Sequence, residues 1–415
     1  MVNMLGTDKS EKYDYLSTSL LIVCLLLESA VRPPKISIQA EPYLEETNFV
    51  KYQIKECTEL ALNNTLSLSF YSVLFTNSTP YQEVALINSS SPITQLVHDI
   101  HGNTIAGMYF SNLLGQQELR ITFSFEITTR ALHYSLSEDV GVYDPSSSLF
   151  EAYTINETHI ESANPKIVLK AREIVGAERN AYRASRLIFR WVHDNIKYEI
   201  QDEEMGALWA LENRKGDCSE FSFLFTALCR AVGIPARVTS GVADPKLPDG
   251  GFFPDWKSMG AHQWAEVYFP NYGWIWVDPT WDQFADSDAM HIAHIRTEFA
   301  QYKHENHVFH TSWIGWHYEG ENVSLNKRTY ELFVSDIDSD LDGLTNAEEA
   351  KKGTNGLRPD TDYDLWGDKI DWWPTDFFLP NIYLLIAIVP IISLMISWLK
   401  ARRSRLHASS IKTEI

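Results

Sequence analysis

Cationic residues are scarce in this chain of 415 residues. Lysine and arginine together number 35, against 55 aspartates and glutamates, and the formal net charge is −20 at pH 7. Because a nucleic-acid-binding protein needs a basic face, this balance argues against nucleic acid as a partner. The hydrophobic content of 45% and the aromatic content of 13% indicate a folded protein, and the length allows two or three domains.

Cysteines are also few, four in all, and two of them lie in the stretch KGDCSEFSFLFTALCRAVGIPAR, which begins at Lys215. Apolar residues after Cys218 recur at helical spacing as far as Gly233, which predicts a helix that starts beside Cys218. Cys229 lies eleven residues further along. At ~1.5 Å per residue the two are about 16 Å apart, which excludes a disulfide between them. We expect Cys229 to be a buried apolar side chain, whereas the helix N-terminus favours a thiolate at Cys218.

A base and an acid for this thiol are predicted from HQWAEVYFPNYGWIWVDPTW, which begins at His262. Its two halves alternate like strands around a Pro-Asn-Tyr-Gly turn, and such a β-hairpin brings His262 and Asp278 to the same end of a sheet. Taken singly, the histidine fits a buried strand position and the aspartate fits a turn before Pro279. Together with Cys218 they suit nucleophilic catalysis, with an imidazole base oriented by a carboxylate.

These two stretches resemble the core of the transglutaminase-like superfamily, which has a papain-like fold. The resemblance covers roughly residues 164–300. It implies that Cys218 is the nucleophile, His262 the base and Asp278 the orienting acid. It also implies an oxyanion site made by the backbone N–H of Cys218 and a second donor, and a catalytic site without a cofactor.

The resemblance leaves the reaction open, because the superfamily includes protein cross-linkers, cysteine proteases and glycopeptide amidases that pass through a thioester. The paired zinc-binding cysteines of the glycopeptide amidases are missing here. We expect hydrolysis of a protein or peptide substrate at the cell surface, with acyl transfer to an amine as the alternative. A non-catalytic surface module that keeps the fold for binding or cell-wall architecture is the other alternative, and the complete set of three residues argues against it.

Residues 35–150, ahead of this core, predict an all-β sandwich. Alternating runs such as TLSLSFYSVLF and ELRITFSFEIT are separated by clusters of Asn, Ser and Gly. A sandwich of this kind often precedes the transglutaminase-like domain. Cys57, His101 and His133 lie in this region and are expected to pack or to face solvent.

An acidic segment follows the core, with 12 acidic and four basic residues between Ser335 and Asp376. DSDLDGLTNAEE matches a calcium loop, with Asp at positions 1, 3 and 5, Gly at 6 and Glu at 12. DTDYDLWGDKID is similar, although Leu365 replaces the glycine. The tandem resembles thrombospondin type 3-like repeats and implies structural Ca²⁺, whereas a solvated acidic linker would not need the glycine and glutamate. The predicted ligands are Asp338, Asp340, Asp342, Glu349, Asp360, Asp362, Asp364, Asp368 and Asp371.

Two apolar segments predict an exported protein that is anchored in a lipid bilayer. LSTSLLIVCLLL, within residues 1–30, fits a signal peptide or an uncleaved signal anchor. Residues 377–399 carry no charge and approach the ~20 residues that a membrane helix needs. Basic residues follow at once in the tail, so the tail is predicted to be cytoplasmic and the catalytic part extracytoplasmic. Glycosylation sequons agree with an exported glycoprotein, and together with the acidity and the calcium repeats they suit an archaeal surface protein; they begin at Asn63, Asn77, Asn88, Asn156 and Asn322.

The predicted architecture is therefore multidomain. It consists of a signal peptide or anchor at 1–30, a β-sandwich at 35–150, an α+β papain-like catalytic domain at 160–300, a calcium-loop stalk at 335–372, a transmembrane helix at 377–399 and a cytoplasmic tail at 400–415.

Overall fold

The computed structural model describes residues 44–78, 80–243, 260–296, 303–304, 307–308, 314–378 and 398. The predicted segment 1–30, most of the predicted span 377–399 and the tail 400–415 lie outside these residues. The described residues from Leu44 onward belong to one compact unit. Within the described ranges, no helix has the length and apolar character needed to cross a membrane.

Long strands lie towards both ends of the described chain, and a region of mixed helices and short strands lies between them. The strands are β1 (Leu44–Leu74), β2 (Gln82–Ser89), β3 (Gln95–His98), β4 (Thr104–Tyr134), β5 (Lys197–Tyr198), β6 (Lys215–Gly216), β7 (Ala236–Ala243), β8 (Gly260–Phe269), β9 (Gly273–Asp278), β10 (Gln283–Phe284), β11 (Asp286–Ser287), β12 (His291–Arg296), β13 (Lys303–His304), β14 (His307–Val308) and β15 (Ile314–Val334). The helices are α1 (Ser148–Thr154), α2 (Pro165–Val175), α3 (Ala181–Asn195), α4 (Ala207–Asn213), α5 (Cys218–Ala231) and α6 (Asn346–Lys352).

A six-stranded antiparallel sheet contains the long strands. β1 pairs with β4 along one edge and with β15 along the other, and β2, β3 and β11 pair with β4. Alternation along β1 buries Val50, Tyr52 and Ile54 on one face, as period-2 patterning predicts.

The predicted β-rich character is confirmed, but the predicted sandwich at 35–150 needs correction. The strands of this region share one continuous hydrogen-bonded sheet, and its third long strand, β15, comes from beyond the mixed α and β region. Alternating residues mark a half-buried strand whether it belongs to one sheet or to two packed sheets, so the pattern alone could not distinguish them.

The mixed region has a five-stranded sheet in the order β10-β9-β8-β7-β12, which packs against α5. α5 begins with a capping box: Asp217 accepts from the Ser219 N–H, and Glu220 accepts from the Asp217 N–H at 2.9 Å. The helix is followed by Gly233 at a φ of 77°. The predicted helix is confirmed, and Cys229 is fully buried in it, as expected.

The long sheet supports the end of the mixed region directly. The hydroxyls of Tyr52 and Thr129 donate to the Ala289 carbonyl at 2.7 and 2.6 Å. Met290 and Ile292 are buried in the apolar core of the long sheet. The start of β12 is therefore fixed between the two sheets.

The acidic segment, which the sequence predicts to be a calcium-loop stalk, is packed on the long sheet. The Asn346 side chain donates to the Phe49 carbonyl at 3.0 Å, and the Asn48 side chain donates to the Asn346 carbonyl at 2.9 Å. Ala347 and Ala350 of α6 are buried in the core of that sheet. A run of charges does not reveal such packing, because only a few short residues of the segment make it.

Candidate active site

Cys218 is the first residue of α5, and its side chain is half-buried. Its thiol lies close enough to the imidazole of His262 to raise the pKa of that imidazole. The Ser222 hydroxyl, one turn along the helix, lies 2.7 Å from the Cys218 carbonyl and 3.0 Å from the Gln263 carbonyl. Helix α5 and strand β8 are thus joined beside the thiol and the imidazole.

The hairpin that was predicted around the Pro-Asn-Tyr-Gly turn is formed by β8 and β9. Phe269 pairs with Gly273, and Ala265 pairs with Val277. This register brings His262 and Asp278 together, with Nε2 of the imidazole 2.7 Å from Oδ2 of the carboxylate. The structure therefore brings together the three residues that the sequence singled out, with a hydrogen bond between His262 and Asp278 and with Cys218 beside His262.

Asp278 is fully buried and accepts from several donors. Its Oδ1 accepts the backbone N–H groups of Thr280 and Trp281 at 2.8 and 3.2 Å, which leaves Oδ2 for His262. Burial alone would raise the pKa of Asp278, but the charge and hydrogen bond of His262 and the nearby His291 outweigh burial and lower this pKa. The carboxylate is therefore ionised at every pH near neutrality.

His262 is 7% exposed, and its protonation is controlled by its neighbours. Burial alone would lower the pKa of the imidazole, but the charge of Asp278, its hydrogen bond and the bond to Cys218 raise this pKa to about 9. The imidazolium is thus the stable form near pH 7.

Three further residues of the site could not be assigned from the sequence. The Trp281 ring is stacked on His262 with ring centroids 4.3 Å apart and planes inclined by 13°. His291 and Asp288 form a second buried ion pair beyond Asp278, with His291 Nδ1 2.8 Å from Asp288 Oδ1. The closeness of Trp281 to Asp278 in the sequence, three residues, was the one signal that could have placed Trp281 in the site. No spacing rule relates residue 291 to residue 278.

The first acidic loop brings three carboxylates close together. Oxygens of Asp338, Asp340 and Asp342 lie within 4.8 Å of one another. Glu349 is 0% exposed, and neither oxygen of its carboxylate has a hydrogen-bond partner within the described part of the chain. Burial, followed by the charges of Asp340, Asp342, Asp368 and Asp338, raises the pKa of Glu349 to about 9.

The second loop has the same backbone conformation despite its leucine. Leu365 has a φ of 80° where Gly343 has 95°, and Tyr363 and Leu341 match at 64° and 65°. Oxygens of Asp360, Asp362 and Asp364 lie within 4.8 Å of one another. Asp368 bonds to Thr361 instead, and Asp371 accepts the Trp373 N–H at 2.9 Å.

Part of the chain is similar to a known protein family. Residues 170–279 match the model of the transglutaminase-like superfamily, and this range contains Cys218, His262 and Asp278. His291 and Asp288 lie beyond the matched range. Residues 170–279 are thus similar to the transglutaminase-like superfamily.

Individual relatives share the middle of the chain only. The uncharacterized protein YebA of Bacillus subtilis is 25% identical over 197 residues, which cover 44% of this chain and 26% of that protein. A protein-glutamine gamma-glutamyltransferase of Pseudomonas aeruginosa is 29% identical over 121 residues, which cover 27% of this chain and 18% of that protein. The chain therefore matches about a quarter or less of the length of these two relatives.

Solved structures resemble the chain loosely. A protein of Cytophaga hutchinsonii, whose description assigns it provisionally as a cysteine protease, is 17% identical with a TM-score of 0.47, covering 71% of this chain and 94% of that one.

Proposed function

We propose that this chain, which is similar to the transglutaminase-like superfamily over residues 170–279, is a thiol enzyme that attacks amide bonds of proteins or peptides through Cys218. The observation that carries the proposal is the placement of Cys218 beside His262, whose Nε2 lies 2.7 Å from Oδ2 of the buried Asp278 carboxylate. The position of Cys218 at a helix N-terminus supports it as well, because the helix dipole stabilises a thiolate there.

The proposed reaction starts from the thiolate–imidazolium pair. The Cys218 sulfur forms a bond to the amide carbon, and the carbonyl electrons move to oxygen. When the C–N bond breaks, His262 gives its proton to the leaving amine, and a thioester remains. His262 then takes a proton from the second substrate as that substrate attacks, and cleavage of the C–S bond restores the thiolate. Asp278 keeps the imidazole oriented throughout.

We propose water as the second substrate, which makes the enzyme a cysteine peptidase. Acyl transfer to an amine is the second candidate, and the relative named as a protein-glutamine gamma-glutamyltransferase favours it. The full chain is incubated with a pool of surface proteins and a labelled primary amine, and mass spectrometry follows new peptide termini and incorporated label together. Cleavage without label indicates a peptidase, and label indicates a transferase.

Two variants control this experiment. Cys218→Ala should abolish both products, whereas Cys57→Ala, which removes a half-buried cysteine on β1, should leave them unchanged. If the wild type yields neither product and Cys218 is alkylated no faster than Cys57, the enzyme proposal fails. The binding-module alternative then replaces it.

We also propose that the acidic segment binds Ca²⁺. The fully buried Glu349 carboxylate supports this, because an unpaired buried carboxylate surrounded by three or more others is costly unless a cation balances the charge. Calorimetric titration with CaCl₂ should give tight binding that Glu349→Gln weakens at least about tenfold. Glu348→Gln changes the adjacent, exposed residue and should leave the affinity unchanged. Equal binding by both variants would exclude Glu349 as a ligand.

For location we propose a membrane-anchored protein with its catalytic part outside the cytoplasm. The apolar residues 377–399 with the basic tail 400–415 support the anchor, and the apolar segment within 1–30 supports export. Carbonate-washed membranes should retain the full chain and release a chain that ends at residue 376. Release of both would contradict the anchor.

A further inference from the structure

A second histidine lies against the carboxylate that orients His262. Nε2 of His291 is 3.4 Å from Oδ2 of Asp278, the oxygen that also receives Nε2 of His262 at 2.7 Å. His291 is 0% exposed, and the two imidazole rings have centroids 5.2 Å apart. One carboxylate oxygen is therefore shared by two buried imidazoles.

The opposite side of His291 is held by a second carboxylate. Nδ1 of His291 is 2.8 Å from Oδ1 of Asp288. The Met290 N–H donates to the same oxygen at 2.8 Å, and the Gln283 side chain donates to Oδ2 at 2.7 Å. These donors hold the Asp288 carboxylate in place facing the imidazole.

The surroundings of His291 are aromatic. Ring centroids of Trp264, Trp276 and Trp281 lie 5.1, 5.0 and 4.6 Å from its ring. The titratable groups that face it are Asp278, Asp288 and His262, and the Tyr81 hydroxyl donates to its carbonyl. Burial, followed by the charge of Asp288, raises the pKa of Tyr81, so this hydroxyl stays neutral.

We propose that His291 is a positioning residue that competes with His262 for the Asp278 carboxylate. Asp288 keeps His291 positively charged, and this charge limits how firmly His262 holds its proton. This inference rests on the proposed function of Cys218 and His262. His262 must lose its proton before it can take another from water. A positive charge that offsets the negative charge of Asp278 therefore lets His262 alternate between its protonated and neutral forms.

The charge state of His291 agrees with this role. Burial alone would lower the pKa of the imidazole, but the charge of Asp288 and the contacts with both carboxylates raise it to about 9. Two imidazoliums then face two carboxylates, and the group as a whole is neutral near pH 7. A positive charge about 5 Å away in a water-poor site acts strongly on the protonation of His262.

The test is the pH dependence of carboxymethylation of Cys218 by iodoacetate, followed by mass spectrometry on the full chain. Iodoacetate is an anion, so it reacts faster with the thiolate–imidazolium pair than with the bare thiolate, and the rate falls when His262 loses its proton. We expect His291→Gln to move this falling limb to higher pH by about 1 unit or more, because a positive charge near His262 is removed.

Two further variants keep the test sharp. Asp288→Asn should move the limb in the same direction by a smaller amount, because His291 loses the partner that keeps it charged while a negative charge is lost too. If His291→Gln does not fold, the result for Asp288→Asn is used in its place. His294→Gln is the matched control: it removes a fully buried histidine of the same strand that bonds to the Val73 carbonyl at 2.7 Å, and it should leave the limb unchanged.

The outcomes separate this inference from the proposed function. If His291→Gln and Asp288→Asn both keep the wild-type limb, His291 has only a packing role and the inference is overturned. If the wild-type Cys218 shows no falling limb and reacts like an ordinary thiol, the proposed function itself fails.

Discussion

At the scale of single residues, the protonation of His262 couples the active site to the stability of the fold. The folded state raises the pKa of this imidazole from the ordinary 6.5 to about 9, so folding favours its charged form. A raised pKa adds stability that is fully present below the unfolded pKa and is lost as pH rises through the folded pKa. The His262–Asp278 pair should therefore contribute most between about pH 4 and about pH 6.5, and little above about pH 9, because at lower pH the lowered pKa of Asp278 removes the contribution again.

This dependence can be measured by urea unfolding of the wild type and His262→Gln at pH 6 and pH 9.5. The wild type should exceed the variant by up to about 3 kcal/mol more at the lower pH than at the higher one. His133→Gln removes an exposed histidine that also has an acidic partner, Asp286, and should show a small, unchanging difference. A His262 difference that is the same at both pH values would contradict the prediction.

The residues of the site divide into those that the sequence could reveal and those that it could not. Cys218 follows a recognisable helix start, and His262 and Asp278 are related by a short hairpin, so local rules are enough to bring them together. His291 meets Asp278 because β12 pairs with β7 and not with β9. Local residue spacing does not predict a pairing between strands about 50 residues apart, so neither His291 nor its partner Asp288 could be assigned to the site from the sequence.

At the scale of elements, the close approach of β7 and β12 fixes the position of His291. A Cβ added at Gly241 would lie 2.0 Å from the Ile292 carbonyl oxygen, so only glycine allows this approach. Gly241 also pairs with His262 across the β7–β8 ladder. One glycine thus sets the spacing between the two strands that carry the histidines.

We expect Gly241→Ala to destabilise the fold by about 1–3 kcal/mol, because the backbone of β12 has to move away. The falling limb of Cys218 carboxymethylation should move in the same direction as for His291→Gln, since the displaced strand takes His291 from Asp278. Gly260→Ala is the control, because a Cβ there meets no atom within 4 Å. Similar unfolding curves for both variants would show that the contact is not restrictive.

The elements themselves were predictable to different degrees. α5 and the β8–β9 hairpin were predicted because their periodicity, caps and turn residues lie within short stretches. The two 31-residue strands β1 and β4 were predicted only as shorter runs, because Asn and Gly residues inside them resemble turn signals. The pairing of β1 with β15 depends on residues about 250 apart, which no local pattern reveals.

At the scale of the whole molecule, the acidic segment and the catalytic region belong to one compact unit that shares the long sheet. α6 packs on β1, and the residues just before β12 pack on the same sheet. A cation bound in the acidic loops should therefore stabilise the catalytic region as well.

We expect saturating Ca²⁺ to raise the midpoint of thermal unfolding by on the order of 5 °C relative to EDTA. The reporter is alkylation of Cys229, which is fully buried in α5 and reacts only when the catalytic core opens. Glu349→Gln should lose the calcium-dependent increase and Glu348→Gln should keep it. Protection of Cys229 that is independent of calcium would show that the acidic segment unfolds separately.

The position of β15 after the catalytic region has a consequence for biosynthesis. About 180 residues separate the end of β4 from the start of β15, so one edge of β1 stays unpaired while the catalytic region is being made. At ~5–20 residues per second this lasts for roughly 10–40 seconds, during which a long strand edge is available to other chains. A ribosome that stops before Ile314 releases every residue of the proposed catalytic series, together with an open strand edge prone to aggregation.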